Sequence, residues 1–280
     1  MPHVLGIAVS DDLLAAWSRW FAPPVQPFRV GGLSEELASA LPPGHRSVAS
    51  AEVRDTFHMY GGEWIWLDEP SYYRVDPRAR RVLLDDRASF GRRRDLPDGI
   101  PASGARFPWW PSLLGRVGNG PVRAYVESGV AASRHREVPP AVWVPAAPVL
   151  PEAARLAGTF AAGSGPNCFG TVMAAAGVPG AESVWMFQDP FERWIAARTV
   201  PVAGPGRDAE PGVVLVWRDA TGLAAHAAVT LGGGFALNKP SQSWSSPRLV
   251  WTVRETITAG RHPGFRLSRH LITGARTSRP

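Results

Sequence analysis

The sequence predicts an α+β fold in which a helix that begins at Cys168 packs on an antiparallel β-sheet. A loop rich in Gly and Pro leads into an apolar helix at 168–176, which a glycine closes. A continuous apolar strand follows at 213–217, and a hairpin is predicted over 225–237 because a triple glycine separates two apolar runs. A last strand is expected at 249–253.

Short, mixed elements are predicted before residue 140, where proline and glycine interrupt every apolar pattern. Helices are expected at 11–20 and 33–41, the strands of a small β-meander at 63–67, 72–75 and 81–84, and an irregular connection at 95–120. These segments form an N-terminal α/β extension. We expect it to pack on the C-terminal part, because its many tryptophans need partners that bury them.

A proline-rich segment at 139–151 predicts a stiff, extended boundary between two parts of the chain. Residues 1–140 are then an N-terminal region of unknown role, and residues 150–280 form the C-terminal domain. A helix is expected at 152–160, directly after the boundary.

Composition favours an ordinary globular protein: 45% of the 280 residues are hydrophobic and 19% are charged. The net charge is +6, and arginine supplies almost all of the positive charge. The sharpest basic run is Arg92-Arg93-Arg94, which a solvated loop explains better than an anionic partner does. No apolar run approaches the roughly 18–20 residues that span a bilayer. We therefore expect a cytoplasmic protein with no nucleic-acid or membrane partner, and the oligomeric state stays open.

Cys168 is the only cysteine, which excludes an intramolecular disulfide and a multi-cysteine zinc site. Gly165, Pro166 and Asn167 deliver it to the first turn of a helix. There the helix dipole and free N–H groups stabilise a thiolate, and the same groups can donate to an oxyanion. A nucleophile and a buried structural thiol both fit this local pattern.

Two polar residues farther along the chain, His226 and Asn238, complete a possible catalytic set with Cys168. His226 opens an apolar strand, and Asn238 follows it by 12 residues across the predicted hairpin. A tight hairpin brings Asn238 beside His226, where its side-chain oxygen would hold the imidazole in one tautomer. We expect the Cys168 sulfur within about 3–4.5 Å of a His226 ring nitrogen. Asp189 and Asp219 are rival partners for the imidazole.

Three segments carry a family resemblance: Asn167-Cys-Phe-Gly170, Pro211-Gly-Val-Val-Leu-Val-Trp217 and His226-Ala-Ala-Val-Thr-Leu-Gly-Gly-Gly-Phe-Ala-Leu-Asn238. Together they resemble the NlpC-type family of papain-like cysteine peptidases. The resemblance covers roughly residues 150–255. It implies a papain-like helix on an antiparallel sheet, with Cys168 as nucleophile, His226 as base and Asn238 as orienting residue. Asn167 and Phe169 depart from the family's motif, and no tyrosine lies just upstream as an oxyanion donor.

The expected activity is that of a cytoplasmic thiol hydrolase, amidase- or peptidase-like, which works through an acyl-enzyme on Cys168. The alternatives are an acyltransferase, cyclase or transamidase with the same acyl-enzyme, and a non-catalytic binding protein. A small-molecule or peptide-like acyl compound is the expected substrate. Its predicted contacts are Asn167 and, in the polar loop after Asn238, Ser241, Gln242 and Trp244. We expect no metal or other cofactor, since the remaining histidines show no metal-ligand spacing.

Overall fold

The computed structural model describes residues 1–89 and 108–273. The run Arg92-Arg93-Arg94 and much of the predicted connection at 95–120 lie outside the described residues. The described chain is a mixed α+β protein with twelve α-helices, and all of its paired strands are antiparallel. The predicted α+β class is therefore confirmed. No helix in these two ranges is long and apolar enough to cross a membrane.

The chain divides into two compact units. The large unit comprises residues 1–9 and 129–280, and the small unit comprises residues 10–128. The first residues thus join the C-terminal part, which the sequence did not indicate. The large unit opens with a two-stranded ladder, β1 (His3–Val4) and β2 (Ile7–Ala8). The predicted packing of residues 1–140 on the C-terminal domain stays a prediction.

The small unit is a set of short helices around a two-stranded sheet. Its elements are α1 (Asp11–Phe21), β3 (Val25–Arg29), α2 (Glu35–Ser39), α3 (Ala51–Phe57), β4 (Trp64–Asp68), α4 (Glu69–Arg74), α5 (Pro77–Ser89), α6 (Pro111–Val117) and α7 (Gly120–Glu127). Both helices predicted in this region form, and the side chains of Ser10 and Ser34 cap them.

The strands predicted at 72–75 and 81–84 are wrong, because both segments are helical. The Asp68 side chain accepts from the Ser71 N–H at 2.8 Å and begins α4. Asp76 accepts from the Arg78 N–H at 2.7 Å, just as α5 begins. Local capping bonds therefore overrode the β-propensity of the aromatic and branched residues.

The boundary segment at 139–151 is also not extended, since most of it forms a helix. The large unit continues with α8 (Pro140–Ala146), α9 (Ala153–Leu156), α10 (Cys168–Ala175), α11 (Gln188–Arg198), β5 (Thr199–Pro201), β6 (Pro211–Arg218), β7 (Ala224–Gly232), β8 (Phe235–Asn238), β9 (Leu249–Thr252), α12 (Val253–Ala259) and β10 (Arg266–Ile272). Pro140 occupies the first turn of α8, where a missing N–H costs nothing. The helix predicted at 152–160 shortens to α9.

A six-stranded antiparallel sheet, in the order β5-β10-β6-β7-β8-β9, is the centre of the large unit. Its alternating side chains form two apolar cores, one on each face. Helix α10 packs in the core that contains Ala227 and Val229 of β7. The opposite core contains Trp217 and Ala228, with Ile257 of α12 packed against it.

Helix α10 is buried along its whole length. A Cβ on Gly170 would lie 2.3 Å from the Ala181 carbonyl oxygen, so only glycine permits the observed approach of these two segments. Burying side chains such as Val172 and Met173 contributes about 1.5–3 kcal/mol each. The helix that carries Cys168 is therefore fixed against the sheet.

Candidate active site

Asn167 determines where α10 begins. Its side-chain oxygen accepts from the Gly170 N–H at 3.1 Å, and its side-chain nitrogen donates to the Met186 carbonyl at 2.7 Å. The first bond caps the helix, and the second ties its start to the segment before α11. The structure gives Asn167 this capping role, and its predicted contact with substrate stays a prediction. Cys168 is thereby held at the first helical position.

The thiol of Cys168 is buried, with 8% of the residue exposed. Burial raises its pKa to about 11, because a thiolate is poorly solvated there. Backbone N–H groups of Ala227, Phe169 and Cys168 itself oppose this rise through hydrogen bonds, and the Lys239 ammonium opposes it through its charge. The resting thiol is therefore protonated at neutral pH, but donors that can receive negative charge already surround it.

His226 and Asn238 meet as the hairpin predicts. The His226 Nε2 lies 3.0 Å from the Asn238 Oδ1, across the β7–β8 ladder. Because an amide oxygen only accepts, Nε2 carries the proton in this bond. In the neutral ring, Nδ1 is then left with a lone pair and can accept a proton. Asp219 does not compete for the imidazole, since its carboxylate accepts from Thr221 and Leu223 within its own turn.

Burial lowers the pKa of His226 to about 4. The hydrogen bond to Asn238 acts in the opposite direction, whereas the nearby His262 lowers the pKa further. At neutral pH the imidazole is therefore uncharged. Cys168 and His226 together rest as a thiol and a neutral base, not as a preformed ion pair.

The Cys168 thiol and the His226 ring lie on opposite sides of strand β7. His226 pairs with Trp217 across the β6–β7 ladder, and their rings lie 5.2 Å apart on the sheet face opposite α10. The thiol instead reaches the N–H of Ala227, the residue after His226. That N–H lies one residue beyond the last β7–β8 pair, Ala228 with Asn238. The sulfur thus contacts the β7 backbone next to His226 from the α10 side, whereas the ring lies on the other face, so the expected 3–4.5 Å contact between sulfur and ring is not seen.

A cavity of about 160 Å³ lies against the His226–Asn238 pair. Its lining combines imidazole and amide groups with small and apolar side chains: Ala225, His226, Asn238, Pro240, Ala259, Gly260, His262 and Phe265. No sequence pattern points to His262 or Phe265, because they follow α12 and reach the site only through the folding of the sheet. The cavity is large enough for a few non-hydrogen atoms next to the base.

The polar loop after Asn238 is built around Lys239, the only lysine of the chain. Its buried ammonium donates to the carbonyls of Ser241, Ser243 and Ser246, at 2.7, 3.3 and 2.7 Å. A solitary lysine directly after Asn238 is the one sequence feature that could have indicated this role. The three carbonyls fix the shape of the loop around one cation.

The same loop is joined to the loop that precedes Cys168. The Gln242 carbonyl accepts from the Gly165 N–H at 2.9 Å, and the Trp244 N–H donates to the Ser164 hydroxyl at 3.1 Å. Ser241 and Gln242 are partly exposed, and their predicted substrate contacts stay predictions. The Trp244 side chain is fully buried, so it packs the loop and does not present a surface to substrate in this conformation.

No protein-family model, curated protein or solved structure matches this chain. Across residues 1–89 and 108–273, no group of three His, Cys, Asp or Glu side chains could hold a metal ion. What bears on the function is therefore the arrangement of Cys168, His226 and Asn238.

Proposed function

We propose that the large unit is a papain-like thiol hydrolase of the NlpC type, which cleaves an amide or ester through an acyl-enzyme on Cys168. The observation that carries the proposal is the 3.0 Å bond between His226 Nε2 and Asn238 Oδ1. This bond leaves Nδ1 available on a strand whose next backbone N–H contacts the thiol. A nucleophile on a helix, a base on a strand and a neutral orienting residue are the parts of a Cys-His-Asn triad.

The chemistry starts from two neutral groups. The proposed reaction needs the thiol and the His226 ring, which lie on opposite faces of β7 in this structure, to come together. Nδ1 of His226 then takes the thiol proton while the sulfur attacks the substrate carbonyl carbon. The negative charge that develops on the carbonyl oxygen is stabilised by N–H groups at the start of α10, those of Cys168 and Phe169. The imidazolium then returns the proton to the leaving nitrogen or oxygen, which departs as an amine or alcohol. Water attacks the thioester by the reverse path and releases a carboxylic acid.

Acyl transfer is the second candidate, and the cavity beside His226 favours it. An amine or alcohol held there would lie next to the base that must remove its proton. The acyl-enzyme would be the same, and only its final acceptor would differ from water. Transfer to an amine is therefore the specific alternative to hydrolysis.

Intact-protein mass spectrometry with activated acyl thioesters tests the proposal. The wild type should gain one acyl group that Cys168→Ala lacks, and His226→Gln should slow its formation by about 100-fold or more. Val144→Ala, which changes an exposed side chain of α8, is the matched control and should behave as wild type. Discharge of the adduct that is faster with added amines than with water would assign the protein to the transferases. A thiol that no probe acylates in the folded protein would refute both assignments.

A further inference from the structure

Lys239 lies on the same face of the sheet as Cys168. Along β8 the side chains alternate: Leu237 belongs to the core that contains α10, and Asn238 binds His226 on the opposite face. Lys239 follows directly, and the alternation returns its side chain to the α10 face. Its positive charge there lowers the pKa of the Cys168 thiol. The sheet therefore separates a cation on the side of the nucleophile from the imidazole on the other side.

The Lys239 ammonium is buried and holds one loop together. The residue is fully buried, although lysine side chains usually extend their charge into water. It donates to three backbone carbonyls of the same loop, those of Ser241, Ser243 and Ser246. Burying a charge costs more than burying a neutral amide, which could make two of these bonds. The retained positive charge therefore indicates a role beyond the shape of the loop.

The loop that the ammonium holds also supports the start of α10. Its Gln242 carbonyl accepts from the Gly165 N–H, and its Trp244 N–H donates to the Ser164 hydroxyl. The fully buried Trp244 side chain anchors this loop in the large unit. Because residues 164 and 165 lead directly into the first turn of α10, the position of the loop determines the position of the nucleophile.

The charge of Lys239 matters most when the Cys168 sulfur becomes negative. Burial disfavours the thiolate, and N–H groups of Ala227 and Phe169 oppose this effect through hydrogen bonds. Those groups belong to the backbone, so they supply only partial charges. A full positive charge acts over a longer distance in a poorly solvated interior than a hydrogen bond does. The ammonium thus stabilises the sulfur after the thiol has lost its proton, without accepting that proton itself.

We propose that Lys239 is the positioning residue of the nucleophile: its ammonium fixes the loop that supports the start of α10 and stabilises negative charge on the Cys168 sulfur. The proposal rests on the function proposed above, in which Cys168 attacks the substrate, and adds a residue to it. Lys239 acts through the loop and through its charge. Two consecutive residues then serve the two proposed catalytic groups, Asn238 the imidazole and Lys239 the thiol.

Alkylation of Cys168 by iodoacetate and by iodoacetamide tests the charge. The two reagents are similar in size and both react with the thiolate, but only iodoacetate is an anion. The ratio of their rates therefore cancels the exposure and the ionisation of the thiol and reports the electrostatic potential at the sulfur. Lys239→Met should lower this ratio at least about threefold, whereas Lys239→Arg should retain it. Arg254→Gln removes an exposed charge from α12 on the other face, and should change the ratio less than about 1.5-fold.

Hydrogen exchange at the Gly165 N–H tests the support of the nucleophile. This N–H is bonded to the loop, so Lys239→Met should speed its exchange at least about 10-fold. Ser164→Ala removes the hydroxyl that accepts from Trp244 and keeps the ammonium. It should speed the exchange and leave the ratio of alkylation rates unchanged, which separates the support of the loop from the charge. The folded wild type should also show a ratio above that of the same chain unfolded in urea, a comparison that needs no variant.

The results separate this proposal from the proposed function. An unchanged ratio in Lys239→Met, or equal ratios in the folded and unfolded wild type, overturns the role of Lys239 and leaves the hydrolase intact. A ratio that falls equally in Lys239→Arg and Lys239→Met shows that the shape of the side chain matters and its charge does not, which also overturns the proposal. Neither alkylating reagent needs an acyl substrate. Failure of acyl thioesters to modify Cys168 therefore refutes the hydrolase alone.

Discussion

Acidification tests the burial of His226. In the folded protein its pKa is about 4, whereas an unfolded histidine titrates near 6.5. Between these values the unfolded chain binds a proton that the folded chain excludes, so falling pH favours unfolding. The two pKa values correspond to a loss of about 2 kcal/mol at pH 5, and of about 3 kcal/mol once the pH falls below 4. Above pH 6.5 the contribution is fully present.

Urea unfolding of the wild type and of His226→Gln, at pH 7.5 and pH 5.0, measures this loss. Glutamine stays neutral and can still donate to Asn238, so the variant retains the hydrogen bond without the titration. Every other titratable group is present in both proteins, so its contribution to the pH dependence of the unfolding free energy cancels in the comparison. The free energy of unfolding should fall by about 2 kcal/mol more in the wild type than in the variant. Equal falls would refute a buried, neutral His226 and the general-base role derived from it.

Three further predictions follow from the site. Asn238→Ala should lower turnover by about 10-fold to a few hundred-fold, because the tautomer and angle of the imidazole depend on this side chain. Asn238→Asp should retain activity, and this rescue of kcat distinguishes a role in orienting the imidazole from a role in folding. Alkylation of Cys168 by iodoacetamide should rise about 10-fold per pH unit up to its pKa of about 11, and a plateau below pH 8 would contradict the protonated thiol. Gly260→Ala places a Cβ 2.5 Å from the Trp217 ring, which packs against His226. This overpacking should lower the stability measured by thermal unfolding by about 1–3 kcal/mol.

Much of the large unit was predictable because its signals are local. The triple glycine predicted the hairpin, and the hairpin predicted that His226 and Asn238 would meet. Asn167 and the loop before it predicted that Cys168 would begin a helix. Each inference needed only the period of the strand, the chemistry of a turn or the capping of a helix end.

The features that the sequence did not predict depend on distant segments. Burial is the main cause of the low pKa of His226, and His262, which follows α12, lowers it further. No local pattern indicates that residues after α12 reach this part of the sheet. Trp244 was expected to face substrate because its neighbours are polar, yet its side chain is buried beneath their loop. Similarly, α4 and α5 replaced predicted strands because capping by Asp68 and Asp76 outweighed composition.

The burial of the Cys168 thiol also has a consequence for oxidative damage. Peroxides attack thiolates, and a thiol whose pKa is about 11 offers few of them at neutral pH. Cys168 is the only cysteine, so a sulfenic acid formed there has no second thiol in the chain to convert it to a disulfide. Further oxidation to sulfinic acid would then be irreversible for this residue. Keeping the sulfur protonated therefore protects the proposed nucleophile from an oxidation that no second cysteine of the chain could reverse.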